Sequence, residues 1–302
     1  MWCSFSGFFM VIVTGLLWIG IGVAVSRCSA RGQDYNIVQG LSYLGSVLIC
    51  LLILYGNRIA DGTLQMSGFG FAMCSLAGFA TFYNYDFLAR AMRQGPNGLI
   101  WGIMQSGMIG TILMGVIFFG ERPAFLQLLG FFLLLGGVLF IGLSKDRKSS
   151  VSGKKWLPFA LGALLMCMIT QCCNTLPSYF PEMGENGAVS RTLGMYTGGA
   201  IGFAVTTIPG MIRNRNFGRR SEWIIAGILT VLRTSANLFF FYKGLDLLAE
   251  IGCAGLGYPV ANGVCVTGFS LYSLLILKEK VPGLSLLGLG AVCVGIVVIA
   301  IH

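Results

Sequence analysis

The residue best placed to do chemistry in this sequence is an arginine in the middle of an apolar segment. Arg233 lies between Glu222 and Lys243, in a run that is long and apolar enough to cross a bilayer as a helix. A guanidinium at the centre of such a helix costs about 2.5–3.5 kcal/mol unless it faces a cavity or a partner. Asn237, four residues later, shares its helix face. We therefore predict a functional site here. The alternative is a structural arginine, satisfied by carbonyls and polar neighbours.

Further polar and aromatic side chains lie at similar depth in other apolar runs. Each amide has an ordinary explanation as an interhelical hydrogen bond, worth about 0.6 kcal/mol on average. Their convergence on one depth favours a shared binding site, and Pro259 can break its helix and expose carbonyls to a cavity. Aromatic rings at this depth could flank an organic substrate, although most membrane aromatics pack or anchor at the interface. The predicted substrate-binding residues are Arg233, Asn237, Gln105, Asn262, Tyr258, Gln171, Asn174, Trp101 and Tyr83.

The sequence predicts no catalytic residues, no metal and no cofactor, so we do not expect an enzyme. None of the 11 acidic residues falls at mid-depth, and the one histidine is His302. Asp86 is the deepest acid, and we expect it to form a local ion pair with Arg90, four residues later. Most of the 10 cysteines lie in apolar runs without a CxxC pair, which favours packed thiols over a metal centre. A proton relay needs a buried acid or histidine, so exchange or facilitated transport is favoured. No phosphate-binding P-loop motif occurs, so the chain gives no sign of ATP-driven pumping.

Composition and charge spacing predict a multi-pass, all-α integral membrane protein. The chain is 56% hydrophobic and 10% charged, far below the charged fraction of soluble domains, and its mean hydropathy is +0.81. Charges divide it into ten apolar runs, each long enough for about 20 helical residues. The runs are the N-terminal residues before Arg27, then Asp34–Arg58, Asp61–Asp86, Arg93–Glu121, Arg122–Lys145, Lys155–Glu182, Arg191–Arg213, Glu222–Lys243, Glu250–Lys278 and the tail after Lys280.

The distribution of basic residues predicts the orientation. Fifteen of the 20 Lys and Arg residues follow spans 1, 3, 5, 7 and 9, and cytoplasmic loops carry such an excess. We therefore expect both termini outside the cytoplasm. The net charge of +9 then reflects topology and not a nucleic-acid surface. The N-terminal run has no basic region ahead of it, which favours a first span over a cleaved signal peptide.

An internal repeat divides the chain into residues 1–150 and 151–302. An offset of 158 residues separates Gly130 from Gly288 and Gly137 from Gly295, and it matches Glu121-Arg122 with Glu279-Lys280. Each half holds five spans, and because five is odd the second half must be inverted in the membrane. Inverted repeats are typical of secondary transporters, whose binding sites lie near the midplane between the repeats.

The repeat is broken at one position that bears on function. At the same offset, Arg233 corresponds to Ser75. A purely architectural residue would more often recur in both halves, whereas a residue that recognises a substrate need not. Because an arginine fork suits a carboxylate or phosphate, this asymmetry favours an anionic or zwitterionic substrate.

Ten spans in two halves, each closing with a Glu-basic motif, a proline and a Gly-rich last helix, resemble the drug/metabolite transporter superfamily. The closest likeness is to its EamA-like branch, and the carrying motifs run from Gly120 through Gly137 and from Glu279 through Gly295. The stretch Tyr35–Ile49 is also weakly similar to sugar-uptake members. The resemblance implies transport of small polar metabolites, by exchange or with protons. Ten-helix members often keep both termini in the cytoplasm, unlike the orientation predicted here.

These observations predict a secondary transporter in the cytoplasmic (inner) membrane. It would move a small polar, anionic or zwitterionic metabolite by alternating access, with the lipid bilayer as its other partner. One alternative is a sugar permease of the same superfamily, and another is a membrane sensor or scaffold that binds a ligand without moving it. The GxxxG patterns Gly98–Gly102 and Gly198–Gly202 leave a monomer or a homodimer open, with internal packing favoured.

Overall fold

The computed structural model describes residues 2–61, 68–92, 94, 100, 103–145, 155–180, 187–276 and 283–301, and all regular secondary structure in these ranges is helical. The α-helices are α1 (Trp2–Ala30), α2 (Tyr35–Asp61), α3 (Gly68–Met92), α4 (Ile109–Phe119), α5 (Phe125–Lys145), α6 (Leu157–Thr175), α7 (Ala188–Thr206), α8 (Ile208–Asn214), α9 (Arg220–Ser235), α10 (Tyr242–Glu250), α11 (Gly257–Leu275) and α12 (Gly283–Ile301). Three 3-10 turns, Ser106–Met108, Leu176–Tyr179 and Ala254–Leu256, adjoin α4, α6 and α11, and a π-helix, Ala236–Phe241, joins α9 to α10.

Four helical segments of the described chain are long and apolar enough to cross a membrane. They are Ser6–Ala24, Tyr35–Asn57, Leu157–Tyr179 and Arg220–Glu250. Large apolar side chains such as Phe118 and Leu52 are exposed on the outside of the bundle, where lipid rather than water would cover them. The prediction of an all-helical membrane protein is therefore confirmed, whereas the ten spans and their inversion stay predictions.

Two sets of neighbouring helices account for many of the contacts between the described helices. In one set, α3 packs against α6 and α7. In the other, the α9–α10 segment packs against α1 and α2. Helices α2 and α7 also contact each other, and α5 pairs with α12.

Helices α2 and α9 run parallel in one register. Hydrogen bonds join residues 188 positions apart along them: Thr230 Oγ1 donates to the Ser42 carbonyl at 3.2 Å, and Thr234 Oγ1 to Ser46 Oγ at 2.8 Å. The register continues to the helix ends, where the Asp34 backbone N–H donates to Glu222 Oε1 at 3.0 Å. This alignment places the Arg233 side of α9 against the polar face of α2.

Glycines mark the points where helices approach most closely. A Cβ on Gly130 would lie 2.8 Å from the carbonyl oxygen of Gly295, and one on Gly137 would lie 2.5 Å from that of Gly288. The glycines that the repeat matches are thus the ones that bring α5 and the antiparallel α12 together. Gly198 is similarly pressed against the Ser75 backbone of α3, so this part of the Gly198–Gly202 pattern packs inside the chain. The pattern Gly98–Gly102 includes residues outside the described ranges.

Candidate functional site

Arg233 lies in the last turn of α9, immediately before the π-helix Ala236–Phe241. Only 5% of its surface is exposed. Asn237, inside the π-helix, is also buried. A π-turn inserts an extra residue into a helix and often marks a functional position. Here the extra residue rotates the side chains that follow it about the helix axis. Helix α10 therefore turns a different face toward its neighbours than an uninterrupted α-helix would.

Tyrosines, and not the predicted amides, surround the Arg233 guanidinium. Its Nη2 donates a hydrogen bond to the Tyr35 hydroxyl at 2.8 Å, and its Cζ lies 5.4 Å from the centroid of the Tyr43 ring. Tyr85 and Tyr196 stand beside these two tyrosines, with ring centroids 5.8 Å from that of Tyr35 and 5.7 Å from that of Tyr43, respectively. A ring face attracts a cation, and more strongly when water is excluded. We call Tyr35, Tyr43, Tyr85 and Tyr196 the tyrosine cage.

The tyrosine cage leaves the guanidinium incompletely satisfied. Arg233 Nη1 is buried and has no hydrogen-bond partner. The two ion pairs found among the described residues are Arg90–Asp86 at 2.7 Å and Arg191–Asp246 at 2.7 Å, and neither involves Arg233. The first is the local i, i+4 pair expected from sequence spacing, so that prediction is confirmed. Arg233 therefore keeps a buried, charged hydrogen-bond donor available, with no ion-pair partner among the described residues.

One face of α2 carries the polar side chains that line this site. Tyr35, Gln39, Ser42, Tyr43 and Ser46 follow a helical spacing of four, three, one and three residues, which puts them on one stripe. Gln39 Nε2 donates to the Tyr43 hydroxyl at 2.7 Å. The Gln39 Oε1 and Ser42 Oγ atoms are buried without partners. The sequence analysis missed this stripe, although its periodicity was a usable signal.

A second polar cluster lies where α6, α10 and α11 meet. Asn174 Nδ2 donates to the Tyr258 hydroxyl at 2.8 Å, and the Tyr242 hydroxyl donates to Asn174 Oδ1 at 3.1 Å. The Trp18 ring of α1 lies 6.0 Å from the Tyr258 ring, centroid to centroid. Two predicted residues, Asn174 and Tyr258, are therefore brought together.

Arg191, which the charge spacing placed only at the edge of an apolar run, holds this second cluster together. Its side chain is fully buried at the start of α7. Nη1 donates to Asp246 Oδ1 at 2.7 Å, and Nη2 donates to the Asn174 carbonyl and to Ser178 Oγ, both at 2.9 Å. The guanidinium also lies 4.2 Å above the Tyr242 ring. Unlike Arg233, Arg191 has a countercharge.

The remaining predicted residues are placed as follows. Gln171 Nε2 contacts Cys167 Sγ at 3.1 Å, and its Oε1 is a buried atom without a partner. Asn262 is buried with an unpartnered Nδ2, and Gln105 is buried directly before the Ser106–Met108 turn. None of the five predicted amides, Gln105, Gln171, Asn174, Asn237 and Asn262, bonds to Arg233 in the described hydrogen bonds. Tyr83 instead accepts from Thr206 Oγ1 at 3.0 Å, and Trp101 lies outside the described residues.

In the described part of the chain, no group of three or more His, Cys, Asp or Glu side chains could hold a metal ion. The described side chains near Arg233 instead carry hydroxyl groups and the Gln39 amide. Such a lining can bind an anion through charge and hydrogen bonds.

Comparison with known proteins gives a fold and no activity. No family model matches the chain, and no curated protein matches it. One protein known from a crystal structure superposes with a TM-score of 0.68, over 97% of this chain and 96% of its own, at 14% sequence identity. At that identity the likeness establishes a shared fold alone.

Proposed function

We propose that this protein is a secondary transporter of the EamA-like drug/metabolite type, which moves a small anionic or zwitterionic metabolite by alternating access. The observation that carries the proposal is the buried Arg233, with a free Nη1 and no ion-pair partner among the described residues. An arginine this deep marks a substrate pathway or a ligand countercharge. A substrate carboxylate or phosphate would supply the missing charge.

The arrangement of helices supports two inverted repeats. Gly130 faces Gly295 and Gly137 faces Gly288, and the 158-residue offset converts one pair into the other. A twofold axis between antiparallel α5 and α12 would produce this exchange. The other contacts follow the same rule, because α3 against α6 and α7 is the counterpart of α9–α10 against α1 and α2.

The site would lie where the proposed repeats meet. The Tyr43 and Tyr196 rings, from α2 and α7, are 5.7 Å apart, and both belong to the tyrosine cage. Tyr43 is the ninth residue of α2 and Tyr196 is the ninth residue of α7, and these helices are the second spans of the two proposed halves. Rocking of one repeat against the other would change the space beside Arg233, as alternating access requires. We place the protein in the cytoplasmic membrane, with the basic loops on the cytoplasmic side.

The test compares Arg233→Gln and Arg233→Lys with Arg213→Gln, a matched control at an exposed arginine. Purified protein is first screened by thermal shift against carboxylates, phosphates, amino acids and sugars, because a ligand that binds only the folded state stabilises it. We expect Arg233→Gln to keep its fold but lose binding and flux of the best anion. Arg233→Lys should recover only part, because an ammonium lacks the planar fork.

Each other outcome points to a different function. If Arg233→Gln folds, binds and transports an anion like the parent, Arg233 is structural. If sugars alone stabilise the protein, the sugar-permease alternative replaces this proposal. If an anion binds but proteoliposomes show no flux, the protein is a sensor or scaffold. The Arg213→Gln variant should match the parent in every assay.

A further inference from the structure

A carboxylate is buried at the end of the bundle where α4 and α6 end and α11 begins. Glu121 lies in the loop between α4 and α5, and only 8% of its surface is exposed. Its Oε1 accepts a hydrogen bond from the Tyr179 hydroxyl at 2.9 Å, and its Oε2 accepts one from the Gly255 N–H at 3.3 Å. One side chain thus connects the α4–α5 loop, the turn Leu176–Tyr179 and the turn Ala254–Leu256. We call this arrangement the Glu121 site.

Two glycines form a cradle that fits the carboxylate. A Cβ on Gly255 would lie 2.8 Å from Glu121 Oε2, and a Cβ on Gly115 would collide with the same atom. The Tyr179 ring stacks on Phe119 at 3.8 Å between centroids, with an interplanar angle of 4°, and this stacking fixes the hydroxyl that faces Glu121. The carboxylate is therefore held tightly by groups from three separate segments.

The chemistry around the carboxylate selects the ion that it could take up. Its described hydrogen-bond partners are the Tyr179 hydroxyl, which can also turn to accept a hydrogen bond from a protonated Oε1, and backbone N–H groups, which are donors only. A metal cation needs several oxygen ligands arranged around it, and donors do not provide them. A proton needs only one carboxylate oxygen. The Glu121 site is suited to a proton.

No described ion pair holds the charge of Glu121. Among the described residues packed around it, the titratable groups that face it are Tyr179, at the end of α6, and Cys253, in the turn before α11. Cys253 in turn contacts Gln127 of α5, at 3.8 Å from Nε2 to Sγ. From α4 the carboxylate faces Gly115, which carries no charge.

We propose that Glu121 is a proton-binding site that couples protonation to the closure of this end of the bundle. With a proton bound, the carboxyl group stays in its cradle as a neutral group and the three segments remain together. When the proton leaves to the water at this end, the buried charge favours an open arrangement in which Glu121 is hydrated. The sequence analysis, which found no acid at mid-depth, did not foresee this group.

The direction of the pH effect follows from linkage. Burial raises the pKa of Glu121 above its ordinary value of 4.5, and the hydrogen bonds from Tyr179, Gly255 and Ala254 only partly offset it. In the open state the hydrated carboxyl returns toward the ordinary value. Between the two pKa values the closed state keeps a proton that the open state has lost. Opening therefore becomes easier as pH rises through this window, by up to about tenfold per pH unit, and levels off above it.

Hydrogen–deuterium exchange of the full chain tests the site without any substrate, so its outcome does not depend on the proposed function. The reporters are the backbone amides of Leu176–Tyr179 and Ala254–Leu256. Their exchange rates are corrected for the intrinsic pH dependence of hydrogen exchange. We expect their protection to fall as pH rises through the window. Glu121→Gln, which is permanently neutral, should abolish the dependence. Glu250→Gln, at an exposed glutamate at the end of α10, is the matched control and should behave like the parent.

Tyr179→Phe provides an independent test if Glu121→Gln does not fold. The Tyr179 hydroxyl lowers the pKa of Glu121, so its removal should extend the window to higher pH. The proposal is overturned if protection in the parent is independent of pH across the window. It is also overturned if Glu121→Gln keeps the pH dependence, or if Tyr179→Phe leaves the window unmoved or lowers it.

Discussion

Two adjacent glycines of α5 allow a sharp test of how the helices pack. Gly137 faces α12, and a Cβ there would lie 2.5 Å from the Gly288 carbonyl oxygen and 2.7 Å from Val292 Cγ2. Gly136 has no atom within 4 Å of its added Cβ. Replacing either one by alanine adds the same single methyl group to the same turn of the same helix. The two variants therefore differ only in the surroundings of that methyl group.

The expected size of the difference follows from these distances. Ordinary van der Waals contact begins at 3.4 Å, so Gly137→Ala must push α5 and α12 apart by roughly 1 Å, and such overpacking costs about 1–3 kcal/mol. Gly136→Ala meets open space, and the better helix propensity of alanine should make it neutral or stabilising by up to about 1 kcal/mol. We expect a gap of about 2 kcal/mol, or roughly 4–8 °C in Tm, between the two variants.

The protein's own thiols provide the assay. Cys50, Cys74 and Cys167 are free and buried, so a thiol-reactive fluorophore reports their exposure as the protein unfolds on heating. Unfolding in detergent is often irreversible, so the comparison holds only at one fixed scan rate. If Gly137→Ala melts together with Gly136→Ala, the close crossing of α5 and α12 is wrong.

The same reasoning extends to the second half of the chain. A Cβ on Gly295 would lie 2.5 Å from the Gly130 carbonyl oxygen, whereas Gly290 faces open space. Gly295→Ala should therefore lose as much stability as Gly137→Ala, and Gly290→Ala should lose none. The double variant that combines Gly137→Ala with Gly295→Ala should lose less stability than the sum of the two single losses, because both methyl groups separate the same pair of helices. Unequal single losses would count against a twofold axis at this crossing.

Two further predictions concern charges. Asp246→Asn should destabilise the protein by about 1.5–3 kcal/mol in the same melting assay, because it leaves the fully buried Arg191 without a countercharge. Arg191→Met should cost less stability, because the Asp246 side chain is 43% exposed and water can hydrate it once the arginine is gone. A larger loss for Arg191→Met than for Asp246→Asn would contradict this account. For orientation, Cys3 as the sole cysteine should react with an impermeant thiol reagent in intact cells, because the basic loops predict an external N-terminus. Labelling that needs lysis would reverse the orientation.

Features that depend on local sequence could be predicted. The apolar runs identified a helical membrane protein, because no soluble helix needs such lengths without polar residues. The spacing of Asp86 and Arg90 identified their ion pair, since residues four apart are neighbours on any helix. The burial of Arg233 also followed from its position within a span. The repeated glycines were recognised as a pattern, although the sequence did not reveal that they meet each other.

Only the tertiary structure decided which side chains meet. Tyr35, which bonds to Arg233, lies 198 residues away along the chain, and its contact depends on the parallel pairing of α2 with α9. Arg191 and Glu121 stand at helix ends, where a charge normally indicates exposure to water, yet neighbouring segments bury both. The physical reason is the solvent. Lipid and protein interior are equally apolar, so the sequence of a spanning helix carries little information about which face is buried against which neighbour.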